Sequence, residues 1–419
     1  MVKIDKCLIV LLGIKNYSTK YIGKSYGRKH KNKKILILIE PPGIGDVVLL
    51  LDSLYNLSRY LNGRNDYDVY LAVDESTSRF LMSCNATFGF RIIKMNFNSA
   101  CKYDCDVYKN NFRKLNFQFW NLIISVDNLG NYLKLLLMGL SYGRIISSEI
   151  RHDLPLLDRL LEPLLSDLKK ISFKDDGIKM INKTAIGEAV IREAVISEES
   201  KTKPVFNRYK IISPQSSNLS NMYCCVSAGI AKGHDYEYKA WEIDRHCELL
   251  NYILSHTKVD IVLIGSEDDK ENNGKLFGML KNNERVINLT GKTSFKEWIA
   301  LLANAQFVIG NDSGYIHLSY ALGVQAFVTA GYWDYGRFLP YVKHDDEDAV
   351  PIDIRAARPE CALCAYGNSS PKKQECDLLV KEKGIYKCID DISVEDAIKV
   401  IYPWLEKHDL IVNNCKKDA

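Results

Sequence analysis

Apolar residues come in short runs along this chain, and the spacing within the runs alternates between that of a strand and that of a helix. Lys34-Ile35-Leu36-Ile37-Leu38-Ile39 is a nearly continuous branched run, suited to a strand covered on both faces of a parallel sheet. The turn Pro41-Pro42-Gly43-Ile44-Gly45 cannot be helix. Beyond it, apolar residues at 47, 50, 51, 54 and 57 fall on one helical face, with Asp46 at the N-cap. Further strands are predicted over 68–73, 91–95 and 122–126, several of them separated by helical patterns. From about 154 to 220 the pattern weakens to one helix, 156–168, and charged or serine-rich sequence. It then restarts with strand 223–227, helix 241–256, strand 260–265, a helix, strand 286–289, helix 295–304 and strand 307–310. A helix from about Tyr315 and strand 326–330 follow. Ser294-Phe295-Lys296-Glu297 reads as a capping box, and Ser393-Val394-Glu395-Asp396 has a similar acidic form before a last helix over 394–405.

This alternation predicts an α/β protein with two Rossmann-like domains facing a cleft, where ligands bind beyond the C-terminal ends of the strands. The expected divisions are a basic arm over 1–33, one α/β domain over 34–210, a second over 211–405, and a tail over 406–419, with the boundary near 205–220. The length of 419 residues is enough for two cores. Hydrophobic residues at 47% and charged residues at 26% fit a globular chain.

Charge and cysteine content narrow the picture. A net charge of +4 is too mild to argue for a nucleic-acid partner. The longest apolar runs, Leu8 to Leu12 and Leu133 to Leu140, fall well short of the roughly eighteen residues of a membrane span. The N-terminus lacks the pattern of a secretory signal, and twelve cysteines then point to a reducing compartment, the cytoplasm by default. Lys24, Arg28, Lys29, His30, Lys31, Lys33 and Lys34 crowd one stretch. It reads either as a solvated arm or as a patch drawn to phosphorylated acceptors or to anionic lipid headgroups, the latter bringing the protein to the cytoplasmic face of the inner membrane.

Three segments carry candidate chemistry. After strand 307–310, Asn311-Asp312-Ser313-Gly314 is a tight connection into a short helix that Gly323 closes. Backbone N–H groups and the dipole at such a helix start make an anion site. Gly314 lets a phosphate approach, Ser313 adds a donor, and His317 lies one turn in. Taken alone, the segment reads equally as a capped turn with a core histidine. Asp46 at the mouth of the first strand reads as a helix cap or as a general base. Lys239, just ahead of helix 241–256, reads as a solvated lysine or as a cation for a departing diphosphate.

In order along the chain, these segments resemble the bacterial heptosyltransferases of glycosyltransferase family 9. The resemblance rests on Ile44-Gly45-Asp46, Lys239-Ala240-Trp241, Asn288-Leu289-Thr290-Gly291-Lys292-Thr293-Ser294 and Ile309 to Gly323, and it spans roughly 34 to 335. It implies the two-domain glycosyltransferase-B fold, with the acceptor on the first half and the nucleotide-sugar donor on the second. It implies inverting, metal-independent transfer of a heptose or similar sugar, ADP-heptose for preference, onto a lipopolysaccharide core or related glycan. Asp46 matches the family's base, with Gly43 and Gly45 in its loop, and Lys239 matches the donor-phosphate lysine. Gly310, Asp312, Ser313, Gly314 and His317 match the donor motif, and Glu267 stands where a ribose could bind. The sequence departs from the family in Pro41-Pro42, in the long approach 231–238, and in Tyr332-Trp333-Asp334-Tyr335 after Gly331.

Cys361, Cys364, Cys376 and Cys388 have the spacing of a tetrathiolate site, in which zinc or iron would be structural; they read equally as four reduced thiols. Rival readings of the whole chain are a protein O-heptosyltransferase, a nucleotide-sugar epimerase of the same architecture, and a silent nucleotide-sugar-binding scaffold.

Overall fold

The computed structural model divides into two compact units, Met1–Gly187 and Glu188–Ala419. In the first it describes residues 33–39, 47, 48, 51, 54, 58, 67–83, 87, 89–97, 105–115, 119–126 and 142–147. In the second it describes 222–229, 239–280, 284–332, 339, 349–358, 361, 379–380 and 384–412. Residues 1–32 of the basic arm, the helix expected over 156–168 and the expected boundary at 205–220 lie outside these residues, while Lys33 already begins a strand.

The first unit is built on β1 (Lys33–Ile39), β2 (Tyr67–Asp74), β3 (Arg91–Met95), β4 (Trp120–Val126) and β5 (Tyr142–Ser147). Their order is β3-β2-β1-β4-β5, all parallel. β1 runs through the middle, which is why Ile35 to Ile39 are apolar on both faces and none is more than 1% exposed. Helical positions 47, 48, 51 and 54 after β1 are also buried. Helices α1 (Glu75–Ser83) and α2 (Cys105–Leu115) follow β2 and β3. The core gathers Leu36, Leu38, Tyr70, Ala72 and Trp120. β5 is not among the sequence expectations, because Tyr142-Gly143-Arg144 breaks the apolar run.

The second unit repeats the plan with one more strand. β6 (Tyr223–Ser227), β7 (Asp260–Leu263), β8 (Val286–Asn288), β9 (Val308–Asn311), β10 (Ala326–Thr329) and β11 (Ile352–Ile354) lie in the order β11-β10-β9-β6-β7-β8. All are parallel. Crossing them are α3 (Ile243–His256), α4 (Lys270–Met279), α5 (Phe295–Ala303) and α6 (Gly314–Ala321). A short α7 (Lys387–Asp390) and the closing α8 (Val394–Lys407) follow.

Both expected capping boxes are present. Ser294 N–H donates to Glu297 at 2.9 Å, and Asp396 N–H donates to the Ser393 hydroxyl at 3.1 Å. After α8 the chain turns back, and Ile411 bridges Thr257 at the end of α3. Among the described residues, no helix is long and apolar enough to cross a membrane.

Each sheet has a switch point where the strand order reverses, between β1 and β4 in the first unit and between β6 and β9 in the second. Such a crevice, beyond the strand ends, is where open α/β sheets take ligands.

Candidate functional site

At the second unit's switch point, β6 ends in Ser227, with Ala228-Gly229 following it, and β9 ends in Asn311. Asn311 is the last residue of the strand rather than part of the turn, and it is fully buried. Its Oδ1 accepts from Trp241 N–H and from the Thr329 hydroxyl, each at 3.0 Å. Its Nδ2 donates to the carbonyls of Ala228 at 3.2 Å and Gly229 at 3.4 Å. One side chain thus joins the ends of β6, β9 and β10 to the segment Lys239-Ala240-Trp241. Trp241 is fixed a second time, by its indole N–H on Ile392 O at 2.9 Å.

A second buried amide, Asn273 on α4, closes the other side. It accepts from Ala228 N–H at 2.9 Å and donates to Ile264 O at 2.8 Å and to the Thr290 hydroxyl at 2.9 Å. The loops after β6, β7 and β8 are held together through it. An unmet buried amide costs about 1–3 kcal/mol, so this pairing is strongly enforced.

α6 begins directly after β9. Ser313 is its N-cap in extended conformation, yet its hydroxyl caps nothing. The Oγ atom is shut off from solvent and makes no well-formed hydrogen bond, with the Tyr315 hydroxyl close enough to interact. In the first turn Ile316 N–H donates to Ser313 O at 3.0 Å, whereas the N–H groups of Gly314 and Tyr315 have no acceptor within the helix by position. The turn therefore presents a hydroxyl and backbone donors together with the positive end of the helix dipole. As the pattern predicted, Gly323 closes the helix, with φ of 68°.

Three ionisable groups stand around that turn. His317 is buried, and its Nε2 lies 3.6 Å from Asp312 Oδ1, with side chains 5% and 10% exposed. Lys239 is buried as well. Burial works against the charged form of Asp312, but the ring of His317 beside it and the charges of Lys239 and Arg355 outweigh that. The carboxyl is held below its ordinary range.

Gly310 is accounted for by packing. A β-carbon there would stand 2.0 Å from the Tyr315 hydroxyl and 2.4 Å from Ser227 O. The Tyr315 hydroxyl occupies that space and donates to Ser227 O at 2.9 Å.

Lys239, Gly310, Asp312, Ser313, Gly314 and His317 come together at the switch point. Glu267 stands in a short 3-10 turn after β7, 71% exposed and paired with Lys270. Its neighbour Asp269 instead turns inward. It takes Ser266 N–H at 2.6 Å and fills the space that a side chain on Gly229 would need. The pattern Ser266-x-x-Asp269 is a capping box that the sequence does display, whereas Asn273 leaves no sequence signal beyond being polar within a helix.

Gly43, Gly45 and Asp46 lie outside the described residues, as do Cys364 and Cys376. Cys361 and Cys388 are both buried and belong to one core cluster. Among the described residues, no group of three or more His, Cys, Asp or Glu side chains is gathered so as to hold a metal ion.

Residues 199–346 match glycosyltransferase family 9 (heptosyltransferase). No curated protein matches the chain. Among solved structures, the chain is similar to a glycosyl transferase family 9 protein from Veillonella parvula, at 15% identity and a TM-score of 0.57. That match covers 90% of this chain and 99% of that one. ADP-heptose lps heptosyltransferase II of E. coli is similar at 15% identity and a TM-score of 0.55, over 90% and 99% of the two chains. E. coli heptosyltransferase WaaC, solved with ADP, matches at 14% identity and a TM-score of 0.53, over 89% and 99%. At such identities the likeness shows the two-unit Rossmann-like fold. The segment 199–346, which matches glycosyltransferase family 9 (heptosyltransferase), contains Lys239, Asp312, Ser313 and His317.

Proposed function

We propose that this glycosyltransferase moves a heptose or similar sugar from a nucleotide-diphosphate donor, ADP-heptose for preference, onto a lipopolysaccharide core or related surface glycan. The observation that carries the donor half is the Ser313 hydroxyl, buried and without a well-formed hydrogen bond at the start of α6, with buried Lys239 nearby. A buried hydroxyl left so poorly satisfied there is accounted for by an anion that accepts from it. The similar E. coli proteins, one an ADP-heptose lps heptosyltransferase and one solved with ADP, favour the same donor class.

In this reading the reaction is a single displacement with inversion. Asp46 takes the proton from the acceptor hydroxyl, and the freed oxygen attacks the anomeric carbon. The bond from that carbon to the diphosphate breaks on the opposite face. The negative charge of the departing nucleoside diphosphate is met by Ser313 Oγ, the first N–H groups of α6 and Lys239, so no divalent ion is needed. The Asp312 carboxylate is suited to accept from sugar hydroxyls. Asp46, with Gly43 and Gly45, enters on the sequence resemblance alone.

The test is mass spectrometry of products after incubation with a panel of nucleotide sugars and with glycan, glycolipid and protein acceptors. Transfer from ADP-heptose to a lipopolysaccharide core is the expected result. Modified protein would move the acceptor to a polypeptide. An epimerised sugar with free nucleotide would replace transfer with epimerisation, and binding without product would leave a silent scaffold.

A structural zinc or iron at Cys361, Cys364, Cys376 and Cys388 belongs to the same reading. Thiolates suit either metal, and the two described members share one core. Elemental analysis of purified protein is expected to find about one metal per chain from the four-ligand count; a small fraction of that would end this part of the proposal. Contact of the basic arm with the inner membrane rests on sequence alone.

A further inference from the structure

β11 is the outermost strand of the second sheet, and Arg355 is the first residue beyond it. Thr329 on β10 pairs with Asn311 on β9 and with Ile354 on β11. One step further on, Asp312, Ala330 and Arg355 stand level across the three strand ends. With strands about 4.8 Å apart, Arg355 is roughly 10 Å from the turn that opens α6.

An arginine on an edge strand ordinarily extends into water, but this side chain is only 9% exposed. Its Nη1 donates to the carbonyl of Gly331, and its Nε pairs with the carboxylate of Asp353. The guanidinium lies 5.6 Å from the centre of the Tyr332 ring. Both polar partners are acceptors. Without the guanidinium, a carboxylate and a bare carbonyl would direct negative charge at the end of the sheet where an anion is to bind.

We propose that Arg355 is a positioning residue for the donor diphosphate: it cancels the negative charge of Asp353 and the Gly331 carbonyl at the rim of the site and fixes the chain where it leaves β10. This rests on the donor reading given above. Arg355 does not touch the diphosphate; it acts by removing a repulsion. Its charge also reaches Asp312, where it adds to that of Lys239.

Calorimetric titration of the full chain with ADP, UDP and inorganic pyrophosphate, at low and high salt, tests the inference. Arg355→Gln is expected to weaken pyrophosphate binding at least about fivefold at low salt, less at high salt, as befits charges this far apart. Arg355→Lys keeps the charge and is expected to retain most of the affinity. Asp353→Asn removes the negative partner and is expected to tighten binding, an effect that no merely structural role produces. It decides the matter even where Arg355→Gln fails to fold. Wild-type affinity in a folded Arg355→Gln protein, or weakened binding in Asp353→Asn, overturns the inference and leaves the donor reading standing. If the wild-type chain binds none of the three probes, both fall.

Discussion

Asn111 in the first unit and Asn311 in the second are both fully buried, and each satisfies backbone groups that no strand reaches. Asn111, on α2, accepts from Asn96 N–H at 3.0 Å and donates to Asn96 O at 2.7 Å. Asn96 follows β3, at the outer edge of its sheet, so this pair fastens a helix to an edge. Asn311 instead joins three strand ends and the Lys239 segment at the switch point. The residue type and the burial are the same, and position in the sheet decides whether the bonds fasten the fold or assemble a site. In a parallel sheet, buried polar groups at the switch point deserve to be read first as site architecture.

Tests follow from that division of labour. The largest effect is expected from Asp46→Asn. Turnover should fall by about a hundredfold to ten-thousandfold, as for loss of a general base, while donor affinity stays within a factor of about two. Near-normal turnover would remove the chemistry from the first unit.

Asn311→Ala should do the reverse. It leaves Trp241 N–H and the Ala228 and Gly229 carbonyls buried without their partner, at a cost on the order of 3–5 kcal/mol in stability, with donor affinity lost as well. Thermal unfolding and calorimetry read both. A matching loss from Asn111→Ala in donor affinity, and not in stability alone, would break the comparison.

His246 gives a pH signature. It is buried against Trp241, with ring centres 4.9 Å apart, and burial pushes its pKa down to about 4. Between pH 6.5 and about 4 the unfolded chain takes up a proton there that the folded chain refuses. Stability is therefore full above pH 6.5 and falls as pH drops through that window, by about 3 kcal/mol in all. His246→Phe should flatten that part of a stability-against-pH curve; an unchanged slope would refute the assignment.

The smallest effect separates two neighbours. Asp269→Ala should cost about 1–2 kcal/mol, through the lost cap and the void beside Gly229. Glu267→Ala, which removes an exposed ion pair, should cost less than about 0.5 kcal/mol. Equal costs would mean that Asp269 is not held inward.

How far the sequence revealed these features depends on how local they are. The strands Arg91–Met95 and Tyr223–Ser227 have the predicted bounds, both being short, mainly apolar runs of strand length. β11 was missed: Ile352-Asp353-Ile354 is three residues long and half exposed, too short for a period to register. The Gly310-to-Gly314 motif and Lys239 were legible as a family pattern. Asn311 as a junction was not, since its partners lie 18 to 83 positions away and only the folded sheet brings them together. Arg355 was invisible for the same reason.

The amide locks also bear on time. Trp241 N–H and Ala228 N–H are loop groups, and loop amides commonly exchange with solvent in the small openings that cost little free energy. Here each is tied to a buried asparagine oxygen, so releasing either one means disrupting the junction of several strands. In amide exchange these two positions should persist like the interior of the sheet, and the donor would meet a floor that was set before it arrived.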